Sequence, residues 1–316
     1  MRAVFVDRFG GPEVLRVGEA ERPAPGPGQV LVRVRAFSVN GGELAARAGK
    51  VRLVTGRRFP QRTGLDFTGE VVGLGRGTAK IAVGERVWGV LGRGSGFGSA
   101  AEYVAVPAER VGRVPDGLDL VEAATLPVAT TAVTALRDKA RLRPGERVLV
   151  RGAAGGVGNA AVQLAKAQGA HVTGLARAAN LDFVRDLGAD EVVDHRAVGP
   201  GELGRFDVVL DTVGTQLLVY RDLLHPGGRM VTIAFDLSRP VASLACVAAS
   251  AVHGRARIRF FSGNPRRALL DDIARHVVRG DLRPMVDTVY PLAAVADAHR
   301  ALEAGGVRGK YVVRVD

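Results

Sequence analysis

The pattern of apolar and polar positions changes character about a third of the way along the chain. Up to residue 120, apolar residues alternate with polar ones in short runs punctuated by glycine and proline, which predicts strands at 3–6, 30–35, 67–73, 86–90 and 101–106. From residue 121 the spacing becomes helical over the alanine-rich stretch 122–136, and strands and helices then alternate. The alternation comprises strands at 148–151, 171–176, 191–194, 208–211, 229–233 and 257–261, and helices at 157–168, 181–187, 216–224, 242–252 and 266–278.

The regular alternation predicts an α/β fold. Strands joined by crossover helices form a parallel sheet that is covered on both faces. The C-terminal segments 286–290, 292–302 and 311–315 have the pattern strand, helix, strand but no partner sheet of their own, so we expect them to complete the N-terminal β-rich part. The predicted organisation is one domain formed by residues 1–122 and 265–316, with a second domain, 123–264, inserted into it.

Composition fits two globular domains and narrows the cellular context. The 316 residues are 47% hydrophobic and 24% charged. The longest uncharged apolar stretch, 240–252, is too short to cross a membrane, and the chain begins without a charged and then apolar leader. The single cysteine, Cys246, excludes an internal disulfide and a multi-cysteine metal site. We therefore expect a cytoplasmic protein.

The net charge of +12 raises nucleic acid as a partner, but the distribution of charge argues against it. The basic residues are nearly all arginine, they are dispersed along the chain, and aromatic residues make up only 5%. A base-stacking platform needs clustered aromatic side chains. We expect a solvated, arginine-biased surface and a small-molecule partner.

A glycine-rich segment directly after strand 148–151 carries the clearest chemical pattern. It contains Gly155, Gly156, Val157 and Gly158, and it opens a helix. A buried strand that turns through glycines into a helix is the context of a dinucleotide-binding loop, where the first N–H groups of the helix bind a diphosphate. A plain tight turn is the alternative, but the following helix and strand favour cofactor binding.

The end of the next strand, 171–176, indicates which dinucleotide is bound. An acidic residue there would bind the ribose hydroxyls of NAD, whereas an arginine suits the 2′-phosphate of NADP. The chain has Arg177 at this point and no acid until Asp182, which favours NADP. The alternative is that Arg177 is one more surface arginine.

Several motifs, taken together, resemble the medium-chain dehydrogenase/reductase superfamily, specifically its zinc-free quinone oxidoreductase branch. They are Ser38–Asn40, Gly64–Gly69, Val83–Val87, Ala101–Tyr103, Ala123–Val128, Ala153–Gly158, Leu187–Asp190 and Gly309–Val313. The resemblance covers essentially the whole chain. It implies a Rossmann doubly wound parallel sheet inserted into a GroES-like β-rich catalytic domain, and a homodimer paired through the strand at 257–261.

The same resemblance argues against a catalytic zinc ion. Zinc-dependent relatives have a cysteine near the position of Asn40 and a histidine near Leu65. Leucine is no ligand and asparagine is a poor one, so we expect no metal site. The implied acceptor is then already electrophilic, either a quinone or an α,β-unsaturated carbonyl compound.

The resemblance and the strand ends supply the remaining candidate residues. Asn40 is expected to donate its amide to the substrate oxygen or, alternatively, to cap its own turn, and Thr131 or Thr130 to contact the nicotinamide. Asn180 stands where NADPH-using relatives often have lysine. The expected cofactor contacts are Thr130, Gly155, Gly156, Val157, Gly158, Arg177, Val213, Ala234, Phe235, Phe261, Gly263, Asn264 and Lys310, the last being alternatively a salt-bridge partner.

Three functions stay open on the sequence. The first is an NADPH-dependent, zinc-independent quinone or enone reductase. The second is a tailoring enoyl reductase or cyclase acting on a polyketide-like enone, for which the arginines at 57, 58 and 62 would line a basic substrate loop unless they are simply solvated. The third is a non-catalytic NADPH-binding protein, since a fold does not guarantee its chemistry.

Overall fold

The computed structural model describes residues 1–92, 96–236, 245–250 and 257–315, with only the backbone of Val54. Strands follow one another as β1 Arg2–Val6, β2 Leu15–Glu19, β3 Gln29–Ser38, β4 Gln61–Arg62, β5 Asp66–Leu74, β6 Arg86–Val90, β7 Tyr103–Pro107, β8 Val111–Arg113, β9 Arg147–Arg151, β10 His171–Ala176, β11 Glu191–Asp194, β12 Phe206–Asp211, β13 Leu224–Thr232, β14 Ile258–Phe260, β15 Val286–Pro291 and β16 Lys310–Arg314.

The helices lie mainly between these strands. They are α1 Gly41–Arg47, α2 Arg52–Thr55, α3 Leu120–Ala123, α4 Pro127–Val133, α5 Gly156–Ala167, α6 Leu181–Asp186, α7 Leu217–Arg221, α8 Arg267–Val278 and α9 Val295–Ala304, and a π-helix, Thr134–Ala140, follows α4 directly. Residues 245–250 are also helical, whereas the rest of the helix expected at 242–252 falls outside the described residues.

The β-rich part of the chain is built on β3. One sheet has the order β15-β16-β3-β5-β6-β8, with β7 also paired to β3, and a smaller sheet has the order β2-β1-β4. Strand β16 is antiparallel to β3, and β15 is parallel to β16. The expectation that the C-terminal segments complete the N-terminal β structure is therefore confirmed. Buried apolar side chains from β3, including Val30, Val32 and Val34, contribute to the core of this part.

The second sheet has the order β11-β10-β9-β12-β13-β14, and all of its strand pairs are parallel. This is the strand order of a Rossmann fold, so the predicted doubly wound sheet is confirmed. Val148, Leu149 and Val150 of the central strand β9 have no exposed surface, as expected for a strand covered on both faces. Successive strands are added on one side of β9 up to β11 and on its other side from β12 onward, so the switch point of the strand order lies between β9 and β12, where such folds bind ligands.

The chain separates into two compact units whose boundaries differ from the expected ones at 122/123 and 264/265. The first unit is residues 1–127, 264–279 and 284–316, and the second is 128–263 and 280–283. Residues 123–127 stay with the first unit because α3 packs on β3 and β5, and because Thr68 Oγ1 donates to Leu120 O over 2.6 Å. Residues 280–283 join the second because Gln163 and the backbone of Arg283 exchange two hydrogen bonds.

Two predicted helices differ in extent. The helix expected at 122–136 is divided, because a capping box between Asp119 and Glu122 begins α3 early and Pro127, which lacks an N–H group, begins a new helix. The helix expected at 216–224 is only α7, because Gln216 adopts a left-handed conformation (φ 53°) and β13 begins at Leu224.

Candidate functional site

The glycine loop joins β9 to α5 with very little space to spare. Gly152 has a φ of +72°, and a Cβ there would lie 2.4 Å from Thr212 Oγ1. A Cβ on Gly158 would lie 2.0 Å from Gly152 O, so only glycine lets α5 pack this close to the turn. A Cβ on Gly155 would meet only Gly152 O, at an ordinary 3.5 Å. The fold therefore requires glycine at residues 152 and 158. At Gly155 a side chain would not disturb the packing, so the absence of one there leaves open space at the loop.

The start of α5 presents backbone donors at this loop. Asn159 N donates to Gly155 O over 2.8 Å, so the N–H groups of Gly156, Val157 and Gly158 precede the first intrahelical donor and have no acceptor within the helix. The buried Asn159 side chain donates to Gly155 O and Gly156 O over 3.0 and 2.7 Å, which fixes the turn. Three adjacent N–H groups at a helix N-terminus favour an anion, so these residues fit the diphosphate of a dinucleotide.

Arg177 follows β10 directly and makes no ion pair with a described residue. Its side chain is half-buried, and its carbonyl oxygen accepts Asn180 N over 2.8 Å. Asp182, the nearest acid in sequence, pairs with Arg185 instead. Ala176 lies opposite Asp194, so the exposed Arg196 follows the adjacent end of β11. The sequence analysis missed Arg196, because only the register of β11 on β10 places it there.

The loops after β12 and β13 bring together three of the expected cofactor contacts. Gly214 has a φ of +85°, and a Cβ there would lie 2.7 Å from both Ala234 C and Phe235 N. Val213 beside it is 44% exposed, and the Phe235 ring lies 4.1 Å from that of Phe260. Val213, Ala234 and Phe235 therefore form one surface at the carboxyl end of the Rossmann sheet.

The remaining candidates in this half of the chain are more dispersed. Thr130 and Thr131 both lie on α4, but Thr130 is buried whereas Thr131 is half-exposed. Lys139 Nζ lies 5.9 Å from the centre of the Phe261 ring. Gly263 and Asn264 are exposed, and Asn264 belongs to the first unit rather than the second.

In the first unit, Asn40 lies at the centre of a polar cluster. Its Nδ2 donates to Asp66 Oδ2 over 2.8 Å, to Glu43 Oε1 over 2.9 Å and to Ser38 O over 3.2 Å. Its Oδ1 accepts Lys310 Nζ over 2.7 Å. The amide therefore has no hydrogen left for a substrate oxygen, and it makes no side-chain cap on α1 either. In this arrangement Asn40 bridges buried charges, a role that the sequence analysis did not consider.

Three charged side chains surround this amide. Glu43, Asp66 and Lys310 are 1%, 2% and 5% exposed. Lys310 Nζ also donates to Val39 O over 2.5 Å, and Asp66 accepts both the backbone N and Oγ of Ser38 over 2.6 Å. Of the two roles expected of Lys310, the structure favours that of a charge partner. Glu43 was missed, because its place in an alanine-rich helix gives no sign of burial.

Burial and mutual repulsion shift the titration of this cluster. Burial, followed by the charge of Asp66, raises the pKa of Glu43 to about 7. Burial also raises the pKa of Asp66, against the opposing effect of Lys310 and the Ser38 hydrogen bonds. Burial lowers the pKa of Lys310, although the two carboxylates favour its charged form.

The donors near Asn40 do not fit a zinc site. Leu65 offers no donor atom, and the oxygen of Asn40 is taken by the Lys310 ammonium. Within the described ranges, no group of three or more His, Cys, Asp or Glu side chains is placed to hold a metal ion. The positive charge next to the carboxylates of Glu43 and Asp66 is therefore the Lys310 ammonium rather than a metal ion.

Among the residues that the structure describes, no helix is both long and apolar enough to cross a membrane.

Two family models match the chain. Residues 26–116 match the alcohol dehydrogenase GroES-like domain, and residues 187–313 match the model named zinc-binding dehydrogenase. The first range contains Asn40 and Asp66, and the second contains Val213, Phe235 and Lys310.

Known proteins resemble the chain over its whole length. The NAD(P)H oxidoreductase RTN4IP1, mitochondrial, of Danio rerio is 32% identical, with 100% of this chain and 91% of the relative aligned. A mycocerosic acid synthase-like polyketide synthase of Mycobacterium tuberculosis is 33% identical over 96% of this chain, but only 15% of that much longer protein. The solved quinone oxidoreductase from Coxiella burnetii superposes with a TM-score of 0.89 at 29% identity, covering 100% and 99% of the two chains.

Proposed function

This chain belongs to the medium-chain dehydrogenase/reductase family, among its quinone oxidoreductase-like members, and we propose that it reduces quinones or α,β-unsaturated carbonyl compounds with NADPH and without zinc. The chain is an oxidoreductase, as its relatives are, which argues against a non-catalytic binding protein. The observation that carries the proposal is the glycine loop, whose tight packing at Gly158 leaves three backbone donors for a diphosphate.

The dinucleotide would be held at the carboxyl ends of the Rossmann strands. The N–H groups of Gly156, Val157 and Gly158 bind the diphosphate, and Arg177 provides a positive charge for a 2′-phosphate. Val213 and Phe235 line the surface beyond the switch point. When bound, NADPH supplies a hydride to the electron-poor carbon of the acceptor.

The absence of zinc from this proposal rests on the cluster around Asn40. Lys310 already neutralises part of the charge of Glu43 and Asp66, and a divalent cation beside an ammonium is electrostatically disfavoured. Without a metal to polarise it, the acceptor must be electrophilic before it binds, as quinones and enones are. Asn40 then acts as a positioning residue that holds the loop between β3 and α1, and water supplies the final proton.

The proposed reaction is tested by following loss of the reduced-nicotinamide absorbance with a panel of simple quinones, enones and enals. We expect turnover with NADPH that survives dialysis against a chelator. Arg177→Ala should raise the KM for NADPH, whereas Arg300→Ala, which removes an exposed arginine paired with Asp297, should not. No binding of either reduced nucleotide, or activity that needs added zinc, would overturn the proposal.

A second candidate function is the enoyl reduction of a polyketide-like thioester. The similarity to a segment of a polyketide synthase favours it, and so do the exposed arginines at 57 and 58, which suit an acidic carrier group. Arg62, the third arginine of that loop, donates to Gly98 O over 2.6 Å and is less available. Turnover of an enoyl-pantetheine thioester, with none of the simple acceptors, would favour this candidate.

A further inference from the structure

A buried ion pair joins β9 and β12, the two parallel strands on either side of the switch point of the Rossmann sheet. Arg151 is the last residue of β9 and Asp211 the last of β12, and the two residues lie opposite each other in the register of the pair. Arg151 Nη1 lies 2.5 Å from Asp211 Oδ1, and the residues are 5% and 0% exposed. The pair therefore lies beneath the switch point, where the crevice for a dinucleotide opens.

Each member of the pair also holds the turn that follows β12. Asp211 Oδ2 accepts Gly214 N over 2.9 Å, and its Oδ1 accepts Val213 N over 3.3 Å. Arg151 Nη1 donates to Thr215 O over 2.7 Å. The two charges thus fix three consecutive residues of the turn through its backbone.

The same network reaches the neighbouring elements. Thr232 Oγ1, at the end of β13, lies 2.9 Å from Asp211 Oδ2 and 2.8 Å from Ala234 O. The guanidinium of Arg151 lies over the Tyr220 ring of α7, 3.6 Å from its centre. The pair therefore links the turn after β12 to the end of β13 and to α7, beside Val213 and Ala234, which we assign to the cofactor.

Stability alone gives little reason for such a pair. Burying two charges carries a large desolvation cost, and an apolar pair of similar volume is often at least as stable. What an apolar pair cannot do is bind the backbone of Val213–Thr215, where Gly214 has a φ of +85° and already lies against Ala234. The polar atoms of Arg151 and Asp211 therefore serve to hold the backbone of this turn in its observed shape.

We propose that Arg151 and Asp211 are positioning residues that set the Val213–Thr215 turn for the nicotinamide half of the dinucleotide. This inference rests on the proposed function. The diphosphate donors at the start of α5 are fixed separately by Asn159 and by the contact of Gly158 with Gly152. The pair therefore acts on the β12 side of the switch point and leaves the hold on the adenine half, toward β10, unchanged.

The test compares two nucleotides on one variant. The double variant Arg151→Met, Asp211→Asn leaves no unpaired buried charge, so it is expected to fold, and circular dichroism checks this. Calorimetry then measures the affinity for NADPH and for adenosine 2′,5′-bisphosphate, which lacks the nicotinamide half. Relative to wild type, we expect the affinity for the bisphosphate to stay within about twofold and the affinity for NADPH to fall about tenfold. We also expect the double variant to lose more kcat than any control variant does.

The matched control is the ion pair of Arg229 and Glu146, which joins side chains 2.7 Å apart in the same unit but at the amino end of β9. Its neutral counterpart, Arg229→Met with Glu146→Gln, should bind both nucleotides as the wild type does. A milder variant, Thr232→Val, removes one hydrogen bond to Asp211 and should weaken NADPH binding alone, to a smaller degree.

The outcomes separate this inference from the proposed function. Wild-type NADPH affinity and kcat in the folded double variant would overturn the inference and leave the proposed function standing. Equal weakening of both nucleotides, matched by the control pair, would show that the pair only stabilises the sheet, which also overturns it. A wild-type protein that binds neither nucleotide would overturn the proposed function and the inference with it.

Discussion

Replacing Glu43 by glutamine should stabilise the first unit at alkaline pH and leave it unchanged at acidic pH. Burial and the charge of Asp66 raise the pKa of Glu43 from 4.5 to about 7. Between these two values the folded chain holds a proton that the unfolded chain releases. The free energy of unfolding therefore falls as the pH rises from about 4.5 to 7, and this group has no further effect above that range.

The size of the effect follows from the shift. At about 1.4 kcal/mol per pKa unit, the ionised Glu43 carboxylate costs the folded state about 3 kcal/mol. Glutamine keeps an oxygen for Asn40 Nδ2 but carries no charge at any pH. The attraction of Lys310 is already included in this shift, so we expect the variant to be more stable than wild type by about 3 kcal/mol at about pH 8.

The chain contains its own probe for this measurement. Trp88 is its single tryptophan, and it is completely buried in β6 of the first unit, which also contains Glu43. Urea unfolding followed by Trp88 fluorescence, at several values between about pH 4.5 and 8, therefore reports the relevant unit. Glu70→Gln is the control, because Glu70 lies on β5 of the same unit and is half-exposed beside Arg35.

The difference between Glu43→Gln and wild type removes the contribution of groups that titrate independently of Glu43, and leaves that of Glu43 with its neighbour Asp66. We expect no difference at about pH 4.5 and a growing advantage of the variant up to about pH 7. A difference that stays constant across the range, or the same pH dependence in Glu70→Gln, would refute the reasoning.

Three further predictions concern the cofactor unit and the assembly. Gly155→Ala should keep wild-type thermal stability but lose at least about tenfold in NADPH affinity by calorimetry, whereas Gly158→Ala, whose Cβ would lie 2.0 Å from a carbonyl oxygen, should lower the melting temperature. Arg177→Glu should raise the KM for NADPH by roughly 10- to 100-fold and leave that for NADH nearly unchanged, since a charged hydrogen bond to phosphate contributes about 1.5–3 kcal/mol; equal effects on both would count against Arg177. We also propose a homodimer through β14, the outer strand of the Rossmann sheet, and light scattering at micromolar concentration should give twice the mass of the chain; a monomer would count against it.

The sequence predicted the Rossmann half of the fold well, because the spacing of apolar residues and the positions of turn-forming glycines indicate the same elements there. The strand expected at 148–151 begins with the apolar run Val148–Val150, and the glycines at 152–158 indicate the turn by composition alone. The β-rich half was predicted less completely. Short strands such as β4 and β8, and helix α1, have too few residues for a periodic pattern to emerge.

The parts of the site that the sequence missed depend on contacts between distant residues. Lys310 and Asn40 are 270 positions apart, and only the pairing of β16 with β3 brings them together. Arg151 and Asp211 similarly meet only because β9 and β12 are neighbours. Single-sequence patterns are local, so they located the glycine loop but could not show which buried charges face each other.

The central claim, hydride transfer from bound NADPH without a metal, is tested most directly with NADPH that carries deuterium at both C4 positions of the nicotinamide. Protein stripped of metal by a chelator is incubated with the labelled cofactor and an α,β-unsaturated ketone, and the product is examined by mass spectrometry. The account predicts one deuterium at the β-carbon for each NADPH oxidised. A product without the label, or turnover that appears only when zinc is added, would contradict it.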